Sequence, residues 1–136
     1  MKAFIDTSSL IKKYVQEEGS DRLETELAKV SEVTVAPLYW IELNSALERR
    51  LREKTLSPPQ AATIRQEAAR DLNYFGKVLW RDALEKKAVE IIKKYGAKTL
   101  DSVQLASGIL ADADIFLTSD QDLFAIARKE TRAKLI

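Results

Sequence analysis

The chain has 136 residues, of which 46% are hydrophobic and 32% charged, the size and composition of one globular domain. Its 22 basic and 21 acidic residues nearly cancel to a net charge of +1, which neither indicates nor excludes binding to nucleic acid. The absence of histidine and cysteine excludes a serine–histidine–aspartate triad, a cysteine nucleophile, RNA cleavage by paired histidines and an imidazole or thiolate zinc site. Any catalysis must use carboxylates, hydroxyls, amines or a hard metal ion.

Short β-favouring runs alternate along the chain with longer segments of helical periodicity. Strands are predicted, in chain order, at residues 3–5, 33–36, 78–80, 115–118 and 133–136. Helices are predicted at residues 8–16, 20–29, 38–54, 59–75, 82–95, 100–112 and 121–130. This alternation predicts an α/β fold, in which helices cover both faces of a mostly parallel sheet of four to five strands. Residues 1–136 then form a single domain.

No stretch of the sequence predicts contact with a membrane. No apolar run approaches the roughly 20 residues of a membrane helix, and Asp6 interrupts the apolar run that a signal peptide would need. We therefore expect a cytoplasmic protein.

Four acidic residues are predicted to meet at one edge of the sheet: Asp6, Glu42, Asp101 and Asp120. Asp6 directly follows the first strand and Asp120 closely follows the fourth, so both lie at carboxyl ends. Glu42 begins the helix after the second strand, and Asp101 begins the helix that leads back to the amino end of the fourth. If the strands are parallel, all four acids reach the edge where open α/β sheets bind ligands.

Carboxylates gathered in this way need either protons or a cation. With ordinary pKa values near ~4 they would all be ionised at pH 7 and would repel one another. A hard divalent ion with oxygen ligands, such as Mg²⁺, is the natural partner. Two such ions roughly 4 Å apart can promote phosphodiester hydrolysis without histidine. The sequence therefore predicts a metal site at this edge.

Each acid also has an ordinary structural explanation. Asp6 and Asp120 could cap the helices that they precede, while Glu42 and Asp101 could favour the positive ends of theirs. Asp122 lies near enough to Asp120 to share its role.

Polar neighbours of the acids leave similar alternatives open. Ser8, like the hydroxyls on either side of it, could cap a helix or orient a metal-bound carboxylate. Arg49 falls close to the line of Glu42 and Ala46 on a helix, so it could point toward the same edge and contact an RNA phosphate.

Four stretches of sequence surround these acids: Phe4-Ile5-Asp6-Thr7-Ser8-Ser9-Leu10, Ile41-Glu42-Leu43, Leu100-Asp101-Ser102-Val103-Gln104-Leu105-Ala106 and Phe116-Leu117-Thr118-Ser119-Asp120. In order and spacing they resemble the acidic motifs of a PIN domain, and specifically of the VapC-type toxins of toxin–antitoxin pairs. The third stretch departs from the commoner family pattern, in which alanine follows the aspartate. The resemblance covers nearly the whole chain.

The resemblance implies a Rossmann-like, three-layer α/β/α domain with Mg²⁺- or Mn²⁺-dependent endoribonuclease activity. It implies that Asp6, Glu42, Asp101 and Asp120 are the catalytic, metal-binding residues, with Thr118 as a supporting hydroxyl. A small antitoxin protein as partner, RNA rather than DNA as substrate, and a homodimer are also expectations from the resemblance.

Other classes of protein with an α/β pattern fit the motifs less well. A receiver domain carries paired acids after its first strand, but Ile5 and Thr7 flank Asp6. A haloacid-dehalogenase-like phosphatase has a second aspartate two positions on, where Ser8 stands. No glycine-rich phosphate loop is present. The remaining alternative is a noncatalytic PIN-like scaffold or RNA-binding protein, which the four intact acids disfavour.

Overall fold

The computed structural model describes residues 1–136 and has at its centre a five-stranded sheet in which every pairing is parallel. The strands are β1 Lys2–Ile5, β2 Glu32–Val35, β3 Gly76–Lys77, β4 Ile115–Thr118 and β5 Ala133–Leu135. Their order across the sheet is β3-β2-β1-β4-β5. From β1 the chain adds β2 and β3 on one side, and it then returns to the other side of β1 to add β4 and β5. The order therefore reverses between β1 and β4.

Seven α-helices connect the strands. They are α1 Thr7–Leu10, α2 Ser20–Leu27, α3 Tyr39–Arg52, α4 Pro58–Leu72, α5 Asp82–Tyr95, α6 Thr99–Leu110 and α7 Gln121–Glu130. A 3₁₀ turn at Ile11–Lys13 follows α1 directly. None of these helices combines the length and the apolar composition that a membrane crossing requires.

The two faces of the sheet are covered by two separate apolar cores. Because side chains alternate along a strand, Ala3 and Ile5 of β1 join the core formed with α1 to α4, whereas Phe4 joins the core formed with α5 to α7. On the second face Phe4 stacks on Phe116 of β4, with ring centroids 5.0 Å apart. Helices thus lie on both sides of the sheet, and the predicted three-layer α/β/α fold is confirmed.

The first helix is shorter than predicted. Instead of running over residues 8–16, α1 ends at Leu10 and gives way to the 3₁₀ turn. The Ser20 hydroxyl donates to the Val15 carbonyl and accepts from the Glu17 amide, both at 3.0 Å. These bonds satisfy backbone groups that a continuing helix would have used.

The third strand lies earlier than predicted. Residues 78–80 were expected to form it, but β3 is Gly76–Lys77 and pairs with β2 alone. A Cβ atom at Gly76 would lie only 3.0 Å from Thr34 Oγ1, so the Thr34 side chain would have to shift to admit a larger residue there. Leu79 and Trp80 are 72% and 52% exposed, so their apolar character does not mark a buried strand.

Candidate active site

The sheet brings the loop after β1 beside the loop after β4. β1 and β4 are adjacent and parallel, and the Asp6 amide donates to the Leu117 carbonyl at 3.1 Å. Asp6 and Asp120 therefore lie at neighbouring carboxyl ends, where the strand order reverses. In open α/β sheets this crevice is the usual ligand site.

Asp6 is the most enclosed of the four acids, with 4% of its surface exposed. Its Oδ1 accepts hydrogen bonds from the Ser8 hydroxyl at 2.7 Å and from the Ser9 amide at 3.1 Å, which caps α1. Its Oδ2 accepts from the Thr118 hydroxyl at 2.7 Å. Burial raises the pKa of Asp6 to about 7; the hydrogen bonds partly offset this effect, and the charge of Glu42 adds to it. Asp6 is therefore poised between its two protonation states at neutral pH.

Two hydroxyls that were predicted to support the site join its loops. Thr118 Oγ1, while donating to Asp6, also accepts from the Asp120 amide at 3.1 Å. Ser8 Oγ, while donating to Asp6, accepts from the Ser119 amide at 3.1 Å. Each hydroxyl thus connects Asp6 to the segment after β4.

Glu42 lies in the first turn of α3, half-buried beneath two donors. Its Oε1 accepts from Gln104 Nε2 at 2.5 Å and from the Thr7 hydroxyl at 3.2 Å. Burial raises the pKa of Glu42, the two hydrogen bonds lower it, and the charge of Asp101 raises it further.

Asp101 and Asp120 complete the group from the first turn of α6 and the start of α7. Burial raises the pKa of Asp101, and after it the charge of Asp120 and, more weakly, that of Asp122 act in the same direction, whereas Lys98 lowers it. Asp120 Oδ1 accepts from the Leu123 amide at 3.0 Å and caps α7. Asp122 is exposed in the first turn of that helix.

The four acids interact through their charges. The charge of Glu42 raises the pKa of Asp6, that of Asp101 raises the pKa of Glu42, and that of Asp120 raises the pKa of Asp101. Even so, no three acidic side chains in this conformation are grouped closely enough to hold one metal ion. The oxygens available to a cation are those of Asp6, Glu42, Asp101 and Asp120. For Asp6 and Asp120, helix capping is also an observed role.

A pocket of about 490 Å³ opens beside the acids and includes both Glu42 and Arg49 in its lining. Arg49 is exposed on α3 and lies on the side of that helix expected from the sequence. A slightly larger pocket, of about 540 Å³, is lined by none of the four acids and lies between α4 and the segment after the 3₁₀ turn.

Gln104 is a contact of the site that the sequence analysis did not single out. It is buried and lies three residues after Asp101 on α6, so the two side chains project from neighbouring positions of one helical face. Its Oε1 is buried without a hydrogen-bond partner. A glutamine spaced three residues from a predicted site acid was the available signal.

The family model of the PIN domain matches residues 3–129. No curated protein sequence matches the chain significantly.

Several solved structures share the fold over nearly their whole length. VapC20 from Mycobacterium tuberculosis, described as a toxin that cleaves the sarcin–ricin loop, aligns with a TM-score of 0.69 and 17% identity over 90% of this chain and 93% of that chain. A toxin–antitoxin complex from Klebsiella pneumoniae gives a TM-score of 0.68 and 17% identity over 90% of each chain. VapBC2 from Rickettsia felis, bound to a DNA fragment from its promoter, gives 0.69 and 11% identity over 100% and 99%. At these identities the likeness shows the fold alone.

Proposed function

Because the chain belongs to the PIN-domain family, we propose that it is an Mg²⁺- or Mn²⁺-dependent endoribonuclease that acts as the toxin of a toxin–antitoxin pair. The observation that carries the proposal is that four acids from four separate elements lie along the carboxyl edge of the sheet and that neighbouring members of the set interact through their charges, although no three are close enough here to hold one ion. Helix capping explains one residue at a time and does not require that all four lie along the same edge.

The donor set suits a hard divalent cation. Every candidate ligand atom is a carboxylate oxygen, and Mg²⁺ in proteins uses few carboxylates while keeping several waters. A bound cation would hold Asp6 ionised, against the burial that raises its pKa to about 7. Asp6 and Asp101 are the principal proposed ligands, with Glu42 and Asp120 completing the set. Such an ion would supply a nucleophilic water and charge compensation at the phosphate.

The side chains around the acids act by position. Ser8 and Thr118 fix the two oxygens of Asp6, and Gln104 with Thr7 fixes one oxygen of Glu42. In the proposed reaction, water attacks phosphorus, the bond from phosphorus to the 3′ oxygen breaks, and that oxygen takes a proton. The products carry 5′-phosphate and 3′-hydroxyl ends. Ends with a 2′,3′-cyclic phosphate would contradict this mechanism.

The proposed partners follow from the family and from the solved structures with the same fold. A small antitoxin protein is proposed because one of those structures is a toxin–antitoxin complex. The choice of RNA over DNA as the substrate rests on the family resemblance, since acids that contact only phosphate groups do not recognise the bases. We place the activity in the cytoplasm and expect a homodimer.

Cleavage of a mixed pool of structured RNAs would test the activity. We compare wild type and Asp101→Asn in Mg²⁺, Mn²⁺ or EDTA, and expect cutting only by the wild type with metal. Asp112→Asn is the matched control, because Asp112 is exposed at the opposite end of α6 and its positive φ of 52° suits asparagine. Its activity should equal that of the wild type.

The same experiment separates the enzyme from the noncatalytic alternative, which is favoured by the capping roles of Asp6 and Asp120. Calorimetry with Mn²⁺ is run on the same proteins. Metal binding that is lost in Asp101→Asn, without cleavage by any protein, would support the site and refute the choice of substrate. Neither cleavage nor metal binding would leave a PIN-like scaffold as the better account.

A further inference from the structure

The pocket beside the acids, here called the basic pocket, has acidic and basic ends. Glu42 and Ser119 line it toward the acidic site, and Lys12, Arg49 and Arg50 supply its basic side chains. Its volume of about 490 Å³ falls within the range of ligand-binding pockets.

We propose that the basic pocket binds a phosphate group of the substrate RNA, next along the same strand to the phosphate that is cleaved. Arg49 is the principal contact. This inference rests on the proposed function, because the cleaved phosphate must lie at the neighbouring acids. Phosphates repeat along a strand, so a strand held at the acids brings another phosphate close to the basic pocket.

Arg49 is the uncompensated cation of the basic pocket. It lies seven residues, or about two turns, after Glu42 on the same face of α3. Its guanidinium is exposed and makes no salt bridge or hydrogen bond within the chain. A planar guanidinium of this kind can bind two phosphate oxygens at once.

Lys12 and Arg50 are held in place by Glu17. Lys12 Nζ lies 3.4 Å from Glu17 Oε1, and Arg50 Nη2 lies 3.1 Å from Glu17 Oε2. Their side chains are only 13% and 16% exposed, and Lys12 also donates to the Glu18 carbonyl at 2.7 Å. Glu17 therefore fixes these two cations and offsets part of their charge. Removal of its charge should strengthen the attraction for an anion.

Binding of a short fluorescein-labelled single-stranded RNA, followed by anisotropy, tests the proposal. All proteins carry Asp101→Asn so that cleavage does not interfere. We expect Arg49→Gln to weaken binding about tenfold and to reduce the slope of log affinity against log salt by about 0.7, the value for one phosphate on a single strand. Arg52→Gln is the control, since Arg52 is exposed in the last turn of α3 and outside the pocket; it should change affinity less than about twofold. Equal affinity of the two variants would overturn the proposal.

Glu17→Gln tests the same pocket in the opposite direction. The amide keeps the shape of the side chain and removes its negative charge, so RNA affinity should rise severalfold. Glu18→Gln removes the same charge from an exposed neighbour outside the pocket and should have a smaller effect. Unchanged or weaker RNA binding by Glu17→Gln would contradict the assignment.

Failure of this inference can be distinguished from failure of the proposed function. If the wild type cuts RNA while Arg49→Gln binds it as well as Arg52→Gln does, the nuclease stands and the phosphate site is wrong. If polyglutamate, and not RNA, loses affinity in Arg49→Gln, the pocket serves an acidic protein segment and the proposal is overturned. If the wild type neither cuts nor binds RNA, both are wrong.

Discussion

The carboxyl group of Asp6 couples the candidate site to the stability of the fold. Burial raises its pKa from 3.8 to about 7, so between about pH 4 and pH 7 the folded chain binds a proton that the unfolded chain releases. The free energy of unfolding of the metal-free protein therefore falls as the pH rises through that window. The full shift corresponds to about 4 kcal/mol at most.

Replacement of Asp6 by asparagine should remove this pH dependence. Asparagine resembles the protonated acid and remains a good helix cap. In EDTA, urea unfolding should show Asp6→Asn close to the wild type at pH 4 to 5 and more stable by a few kcal/mol at pH 8. Parallel stability curves for the two proteins would contradict the raised pKa. Mn²⁺ should stabilise the wild type, and not the variant, above pH 7.

At the scale of helices and strands, α6 lies unusually close to the sheet at Gly108. A Cβ atom there would lie 2.6 Å from Phe116 Cδ2 and 3.2 Å from Phe4 Cγ, inside the stacked aromatic pair. Gly108→Ala should therefore lower the free energy of unfolding by about 1–3 kcal/mol, although alanine favours helix. Thermal unfolding measures the loss. A variant as stable as the wild type would show that α6 can shift outward at little cost.

The elements that the sequence predicts well are those whose own residues carry the signal. The repeat of apolar residues on α3 and the proline pair at the start of α4 mark both helices. The end of α1 and the position of β3 are not predicted by such local signals. The Ser20 hydroxyl bonds the backbone of Val15 and Glu17 within the segment that was predicted to be helical or directly after it, and β3 includes the close approach of Gly76 to Thr34. Neither contact is visible in a local pattern.

The candidate site likewise has features that the sequence predicts and features that it does not. The edge reached by Asp6 and Asp120 follows from parallel strands, a property of the whole topology that the sequence pattern does indicate. The hydrogen bond from Gln104 to Glu42 joins positions 62 residues apart. That bond, like the contacts of Glu17 with Lys12 and Arg50, depends on how helices are placed against each other, which periodicity does not determine.

At the scale of the whole molecule, we expect two chains to associate. Large side chains with apolar surface are exposed just before and just after the edge strand β3 in the sequence: Tyr74 at 87%, Leu79 at 72% and Trp80 at 52%. Exposed groups of this kind commonly mark contact surfaces. Light scattering at micromolar concentration should give twice the chain mass of 15.4 kDa.

Leu79→Lys should shift that mass toward the monomer, because burial of a lysine charge in an apolar contact is costly. Val89→Lys is the control, since Val89 is exposed on α5 and lies outside the segment 74–80. A monomeric wild type would contradict the expected homodimer. A dimer that Leu79→Lys leaves intact would place the contact elsewhere.

The bond from the Thr118 hydroxyl to Asp6 spans 112 positions of the chain. During synthesis on the ribosome, β1 emerges about a hundred residues before β4, which must pair with it. A chain cut short before residue 115 contains three of the four acids but neither the strand that flanks Asp6 nor the hydroxyl that fixes it. We therefore expect that a chain without β4 leaves Asp6 unfixed, and that the arrangement of the site forms only after β4 has been made and paired.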